Sequence, residues 1–257
     1  MENVVHLGAT WAGGILLILL LHLQERVTSR HIAHHLGWKG VLITGWLGVP
    51  VHELSHLVFA ALFGHRIIAW RLFDPDPASG TLGYVRHAYS RRSPWQLVGG
   101  FPIAVAPLVG GALVLGGLCC WMAPAVAWSQ VAREASSATG LAGQVLGAAA
   151  ASLGAVWRHR SPWLPLQIYL GVCVSSHMAP SQADLKGGLP GAVLAALITA
   201  AGAAAAAYSG HALTAGTLVL ALLLLLLLAA SVFQGTYAAA VNLTTRLTRR
   251  HGGLAIR

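Results

Sequence analysis

The sequence predicts an all-α integral membrane protein of about six transmembrane helices, with a short β-hairpin between the second and third. Hydrophobic residues make up 56% of its 257 residues and charged residues only 9%, against about 25% charged residues in ordinary soluble domains. The apolar residues are gathered into runs that approach or exceed the ~20 residues that a helix needs to cross a bilayer. One connection between these runs carries two strand-like segments around a turn.

Six apolar segments account for the predicted spans, because each is bounded by polar or turn residues. In chain order they are Val4–Leu23, Val41–Phe63, Gly99–Trp121, Pro162–Met178, Leu189–Tyr208 and Ala212–Phe233. The Ala- and Gly-rich stretch Gly140–Trp157 is less hydrophobic, and we expect it to be interfacial or re-entrant. We therefore predict a single membrane domain over residues 1–257. Its core covers about 40–188, and 189–257 holds two further spans and a basic cytoplasmic tail.

The longest charged connection, Gly64–Gln96, contains the predicted hairpin. Ile67–Phe73 and Thr81–Arg86 have the composition of strands, and Asp74–Gly80 between them is rich in Asp, Pro and Gly. Those turn residues favour a reversal of the chain. We expect an antiparallel pair of strands at the membrane surface.

The charge distribution indicates a lipid bilayer as partner and no nucleic acid. The formal charge is +9, but Lys and Arg lie in the connections between apolar runs, where membrane proteins place them. Counted on alternating sides of the predicted spans, they number 10 against 6. The more positive side faces the cytoplasm. We therefore expect a multi-pass protein of the cytoplasmic (inner) membrane with both termini and the hairpin in the cytoplasm.

A metal-binding motif, His52-Glu53-Leu54-Ser55-His56, lies inside the second predicted span. Histidines four residues apart occupy one face of a helix, so the two imidazoles can share one Zn²⁺. Glu53 between them is placed to act as the general base towards a metal-activated water. It is also the only acidic residue in this apolar run, where an unpaired charge costs several kcal/mol.

A zinc site of this kind needs a third protein ligand, and elimination among the seven acidic residues favours Asp184. The others are placed at the terminus, in loops on the far side of the membrane, or in the hairpin turn: Glu2, Glu25, Glu134, Asp74 and Asp76. Ser181 and Asp184 also have the spacing of a helix capping box, which demands no metal. His177 is a further candidate, as a ligand or a transition-state donor, or simply as a helix cap.

These features resemble the site-2 protease family of zinc intramembrane proteases, in particular its small bacterial relatives without a PDZ domain. The resemblance covers about residues 40–188: the HExxH sequence in a span, a short β segment after it, and an Asp in a later segment. The family often has Asn-Pro-Asp-Gly or Leu-Asp-Gly at the last site, whereas this chain has Ala183-Asp184-Leu185-Lys186-Gly187. The resemblance implies a zinc metalloendopeptidase that cleaves membrane-protein substrates.

Two other functions are compatible with a zinc motif in a membrane. One is a zinc-binding scaffold without catalytic activity. The other is a metal-ion transporter, but transporters usually place polar groups in several spans to form a path. The fifth and sixth predicted spans have no charged residue, and residues 218–228 are almost purely aliphatic. The sequence therefore favours the protease.

Overall fold

The computed structural model describes residues 2–122 and 162–209. In chain order, these residues form the elements α1 (Glu2–Leu62), β1 (Arg66–Arg71), β2 (Tyr84–Ala88), α2 (Pro94–Met122), α3 (Leu164–Ser175) and α4 (Gln182–Ser209). The described part of the chain is thus mostly helical with one two-stranded sheet. This agrees with the predicted combination of helices and a hairpin.

Helix α1 consists of two arms that are joined at Gly37, where φ is 62° and ψ is −161°. Glu25 and Val49 line the same cavity, although 24 residues of straight helix would separate them by about 36 Å. The chain therefore doubles back at Gly37. A positive φ is accessible to glycine without a steric penalty. Residues 2–36 are called the N-terminal arm below, and residues 38–62 the C-terminal arm.

Two helices are long and apolar enough to cross a membrane, Leu36–Leu62 and Pro94–Leu118. They overlap the second and third predicted spans over most of their length. Large apolar side chains on the described helices remain exposed, among them Leu54, Val58 and Leu62 on α1 and Leu113 on α2. An apolar surface of this kind is stable against lipid but not against water.

The other predicted spans have different outcomes. Pro162–Met178 forms only the 12-residue helix α3, which is too short to cross a hydrocarbon core of about 30 Å. The full crossing predicted there is wrong, because the chain leaves the helix at Ser176 and turns towards α4. Span Leu189–Tyr208 falls within α4, and Val4–Leu23 falls within the N-terminal arm. Span Ala212–Phe233, the basic tail and Gly140–Trp157 lie outside the described residues. The described residues do not support a count of six crossings.

The hairpin is confirmed, with its second strand displaced along the chain. Strands β1 and β2 are antiparallel, with Ile67 opposite His87 and Trp70 opposite Val85. The predicted second strand began at Thr81, but β2 begins at Tyr84 because the turn is wider than expected. Asp76 organises that turn by accepting hydrogen bonds from the Ser79 hydroxyl at 2.6 Å and the Ala78 N–H at 2.9 Å. These two bonds lower the pKa of the Asp76 carboxyl.

Helix α3 packs against the C-terminal arm and α2. The Tyr169 hydroxyl donates to the Ile43 carbonyl at 2.5 Å and accepts from the Trp46 indole N–H at 2.7 Å. Val174 at the end of α3 and Met178 just after it are buried in one cluster with Leu108 and Leu115 of α2 and with neighbouring apolar side chains. These contacts hold the segment between α3 and α4 against α1 and α2.

Helix α4 packs closely on α2 through glycines that leave no room for a side chain. A Cβ atom added at Gly191 would lie 2.6 Å from the Phe101 nitrogen and 2.7 Å from the Leu97 carbonyl oxygen. Gly188 has a similarly tight contact with α2. Small residues allow this backbone approach between membrane helices. The approach fixes the first turns of α4, where Asp184 lies.

We predict that Gly191→Ala destabilises the protein, because the new methyl group meets backbone atoms that cannot move independently. The expected loss is about 1–3 kcal/mol, the usual effect of overpacking. Gly187→Ala is the matched control, since a Cβ at Gly187 meets nothing within 4 Å. Thermal unfolding in detergent measures both variants. Equal melting temperatures for the two would contradict the close packing of α4 on α2.

Candidate metal centre

The structure brings together the three predicted metal ligands, His52 and His56 of α1 and Asp184 of α4. One ligand atom from each lies within 4.8 Å of the others, and this group can hold a metal ion. It is the one such group of three among the described residues. The two histidines are held by one helix, and the aspartate comes from a segment 128 residues further along the chain.

Backbone carbonyls orient both imidazole rings. His52 Nδ1 lies 2.6 Å from the His177 carbonyl oxygen, and His56 Nδ1 lies 2.9 Å from the Ile103 carbonyl oxygen. A carbonyl oxygen only accepts hydrogen bonds, so each Nδ1 must carry a hydrogen and donate it. Metal-binding histidines are usually held in this way through the ring nitrogen that does not bind the metal.

The remaining ring nitrogens face each other. His52 Nε2 and His56 Nε2 are 3.1 Å apart. With both hydrogens on Nδ1, neutral rings would direct two lone pairs at each other, which is repulsive. A cation between them removes this repulsion, and it can be a proton or a metal ion. The donor set therefore fits a metal cation, with two imidazole nitrogens and a carboxylate.

Asp184 contacts the imidazole pair and also caps α4. Its Oδ1 lies 3.3 Å from His56 Nε2, and its Oδ2 lies 3.7 Å from His52 Nε2. Oδ2 also accepts the Ser181 N–H at 2.7 Å, while the Asp184 N–H donates to Ser181 Oγ at 3.1 Å. These reciprocal bonds form the capping box that the sequence suggested. The cap and the ligand position are therefore compatible, and the cap orients the carboxylate towards the histidines.

Glu53 lies beside the three-residue group without belonging to it. Its side chain is buried, with 9% exposed, and it lines a cavity together with His52. No hydrogen bond from another described side chain or backbone group engages its carboxylate. The hairpin passes directly over it, since a Cβ at Gly83 would lie 3.0 Å from Glu53 Cγ. Glu53 is thus buried beside the group, and none of the described residues forms a hydrogen bond with its carboxylate.

The cavity beside the group has a volume of about 170 Å³. A cavity of about 150 Å³ accommodates benzene, so this one has room for a single side chain or a short stretch of backbone. Its walls come from both arms of α1, the hairpin and the segment after α3. They are formed by Glu25, Val49, His52, Glu53, Gly80, Leu82, Gly83, His177, Ala179 and Ser181.

His177 lies next to the group but outside it. Its carbonyl oxygen accepts from His52, as described above, and its ring Nε2 lies 3.1 Å from the Thr44 hydroxyl. Gly48 permits this arrangement, because a Cβ there would collide with the Cys173 carbonyl oxygen and the His177 ring. The sequence identified His177 from its position, but the contribution of its backbone carbonyl and the contact with Thr44 have no sequence signal.

The position of Glu25 differs from the position that the sequence predicted. We expected it in a loop on the far side of the membrane, yet it lines the cavity with His52 and Glu53. The cause is the turn at Gly37, which brings the N-terminal arm back along the C-terminal arm. His22 supports this placement, because its Nδ1 lies 2.9 Å from the Pro180 carbonyl oxygen. The signal that was missed is a glycine between two helical segments, which permits a tight helical hairpin.

A second histidine pair ties the end of α1 to the hairpin. His65 Nε2 lies 2.8 Å from the Gln96 carbonyl oxygen, and His65 Nδ1 lies 2.9 Å from His87 Nδ1. His65 therefore donates from Nε2, and its Nδ1 accepts the N–H of His87. Burial lowers the pKa of His87, and the neighbouring His65 lowers it further. Two neutral rings satisfy this geometry without a metal.

Comparison with protein-family models, with curated proteins and with solved structures finds no match. The resemblance to site-2 proteases therefore rests on the residues and geometry described above.

The two uses of Asp184 can be separated by substitution. Asp184→Asn retains an oxygen that accepts the Ser181 N–H, so the cap survives, but it removes the negative charge. We predict weaker metal binding by Asp184→Asn, by about 10-fold or more, with little change in apoprotein stability. Zinc titration and thermal unfolding measure the two effects.

Ser181→Ala is the reciprocal variant, because it weakens the cap and leaves the carboxylate. We expect it to lose about 1 kcal/mol of stability and to retain full metal content. If Asp184→Asn binds zinc as tightly as the unmodified protein, Asp184 is a cap and not a ligand.

Proposed function

We propose that the protein is a membrane-embedded zinc metalloprotease that hydrolyses peptide bonds of membrane-protein substrates within or near the bilayer. One observation carries the proposal. The Glu53 carboxylate is buried, has no hydrogen bond with the described residues, and lines a cavity. Beside that cavity, the Nε2 atoms of His52 and His56 face each other, and the Asp184 carboxylate lies next to them. A site that only stored a metal would have no need of the Glu53 carboxylate.

The ligand set fits zinc and is unlike that of magnesium or calcium sites. Two imidazole nitrogens and one carboxylate oxygen are a common zinc donor set, and three protein ligands leave a position open for water or substrate. Ions such as Mg²⁺ and Ca²⁺ prefer oxygen ligands alone. When bound, zinc supplies a Lewis acid and a water of lowered pKa.

The protein's own residues then handle the protons. Glu53 accepts the proton of the attacking water and returns it to the nitrogen of the departing amine. His52 and His56 stay fixed while this happens, because the carbonyl oxygens of His177 and Ile103 hold their Nδ1–H groups. Burial of Glu53 keeps bulk water from competing with the attacking water for the Glu53 carboxylate.

We assign His177 a supporting role at the same site. Its Nε2 is engaged by Thr44, and its Nδ1 has no hydrogen-bond partner among the described residues. The Thr44 hydroxyl has one hydrogen, which it can donate to the Val41 carbonyl oxygen at 3.5 Å or to His177 Nε2 at 3.1 Å. The shorter contact favours donation to Nε2, which places the ring hydrogen on Nδ1, towards the cavity that His177 lines. A donor of this kind stabilises the negative charge that develops on a carbonyl oxygen during hydrolysis.

The hairpin supports the proposed access of substrate. A peptide bond within a helix is shielded by its own hydrogen bonds, so a substrate span must unwind before cleavage. The two-stranded sheet has outer edges to which an extended segment can add by β-augmentation. Gly83, next to β2, lies against Glu53, which places the hairpin beside the proposed base. We also propose that the protein crosses the cytoplasmic membrane several times.

The decisive variant is Glu53→Gln, which is isosteric and removes only the basic group. We predict that it retains zinc and loses proteolysis by about 10²–10⁴-fold, the usual contribution of a general base. Membrane-protein fragments are compared by mass spectrometry between cells with the unmodified protein and cells with the variant. Asp74→Asn is the matched control, since it neutralises an exposed carboxylate outside the cavity lining. Identical fragments in all three strains would identify a zinc-binding scaffold and not a protease.

A further inference from the structure

Glu25 is the one ionisable side chain in the cavity lining that the proposed chemistry does not use. It lies on the N-terminal arm, at the level of Val49 of the C-terminal arm, and both line the cavity. Val49 belongs to a helix that is long and apolar enough to cross a membrane. Acidic groups at such a depth are costly, face protein interiors or cavities, and generally mark a functional site.

Glu25 forms no ion pair with any of the described side chains, although Arg26 follows it directly in the chain. The ion pairs among them join Asp184 to His52 and His56, and neither includes Glu25. Glu25 is therefore an acidic group in the cavity wall without an ion pair among the described residues, and a cationic side chain that enters the cavity can pair with it.

A second metal ion is a poor candidate for this cation. The ring nitrogens of His52, which lines the same cavity, are already engaged, one by the His177 carbonyl and the other by the three-residue group. Glu25 is not part of a group of three metal-binding side chains among the described residues. One carboxylate alone does not make a metal site.

The walls of the cavity fit a long cationic side chain. Val49 and Leu82 give an apolar surface, Gly80 and Gly83 leave space, and Glu25 supplies the charge. Lys and Arg have an apolar stem and a charged end, and they pack the stem on apolar groups while the end finds a polar partner. The volume of about 170 Å³ admits one side chain of this type.

We infer that Glu25 forms a specificity subsite that accepts a Lys or Arg side chain of the substrate, close to the bond that is cut. This inference rests on the proposed protease function. It assigns the substrate class as membrane proteins with a basic residue near the cleavage site. Such residues are common where a span meets the cytoplasm. Glu25 determines which substrate side chain is bound, whereas Glu53 transfers the proton during hydrolysis.

The test uses purified full-length protein with zinc in detergent and an unbiased library of peptides from a digested membrane proteome. Cut sites are read by mass spectrometry for the unmodified protein, Glu25→Gln, Glu25→Lys and the control Asp74→Asn. We expect the unmodified protein and the control to enrich Lys and Arg at one position relative to the cut. Glu25→Gln should lose this enrichment, and Glu25→Lys should favour Asp or Glu there.

A kinetic comparison completes the test. For a peptide with Lys at the enriched position and its Gln counterpart, Glu25→Gln should lower kcat/KM by about 10- to 100-fold for the Lys peptide only. Zinc content equal to that of the unmodified protein shows that each variant is folded.

The outcomes separate the two claims. Cleavage that depends on Glu53 but shows the same residue preference in all Glu25 variants overturns the inference and leaves the protease function standing. The absence of any Glu53-dependent cleavage overturns both.

Discussion

The site depends on one electrostatic constraint, the facing Nε2 atoms of His52 and His56, which are 3.1 Å apart. Each Nδ1–H is committed to a backbone carbonyl, so the rings cannot rotate to relieve the repulsion between their lone pairs. A cation must lie between them. The surrounding elements serve this arrangement, because α2 supplies the Ile103 carbonyl and the segment after α3 supplies the His177 carbonyl and leads to Asp184.

The packing of α4 couples the fold to the site. Asp184 reaches the histidines because the Ser181 N–H holds its carboxylate and because glycines let α4 approach α2. The shortness of α3 has the same consequence. A helix that continued through Pro162–Met178 would carry His177 along its axis, whereas the turn after Ser176 directs its carbonyl at His52. The irregular segment between α3 and α4 therefore positions the groups of the candidate metal centre.

The sequence was sufficient for the features that depend on local spacing. The HExxH spacing placed two imidazoles on one helix face, the scarcity of acidic residues led to Asp184, and the turn residues of 74–80 indicated the hairpin. Features that depend on chain reversal were not predictable in the same way. The polar residues near Glu25 suggested a loop, because one sequence does not distinguish a loop from a helical hairpin closed at Gly37. Thr44 and the orienting carbonyls act through tertiary contacts, and no residue pattern marks them.

X-ray absorption at the zinc edge of the purified protein tests the central claim most directly, because it reports the type and distance of the atoms that bind the metal. The account predicts one zinc per chain with two imidazole nitrogens at about 2.0–2.1 Å and the remaining ligands oxygen at about 2.0–2.2 Å. A sulfur ligand at about 2.3 Å, or zinc bound with an unchanged spectrum after His52 and His56 are both replaced by Ala, would contradict it.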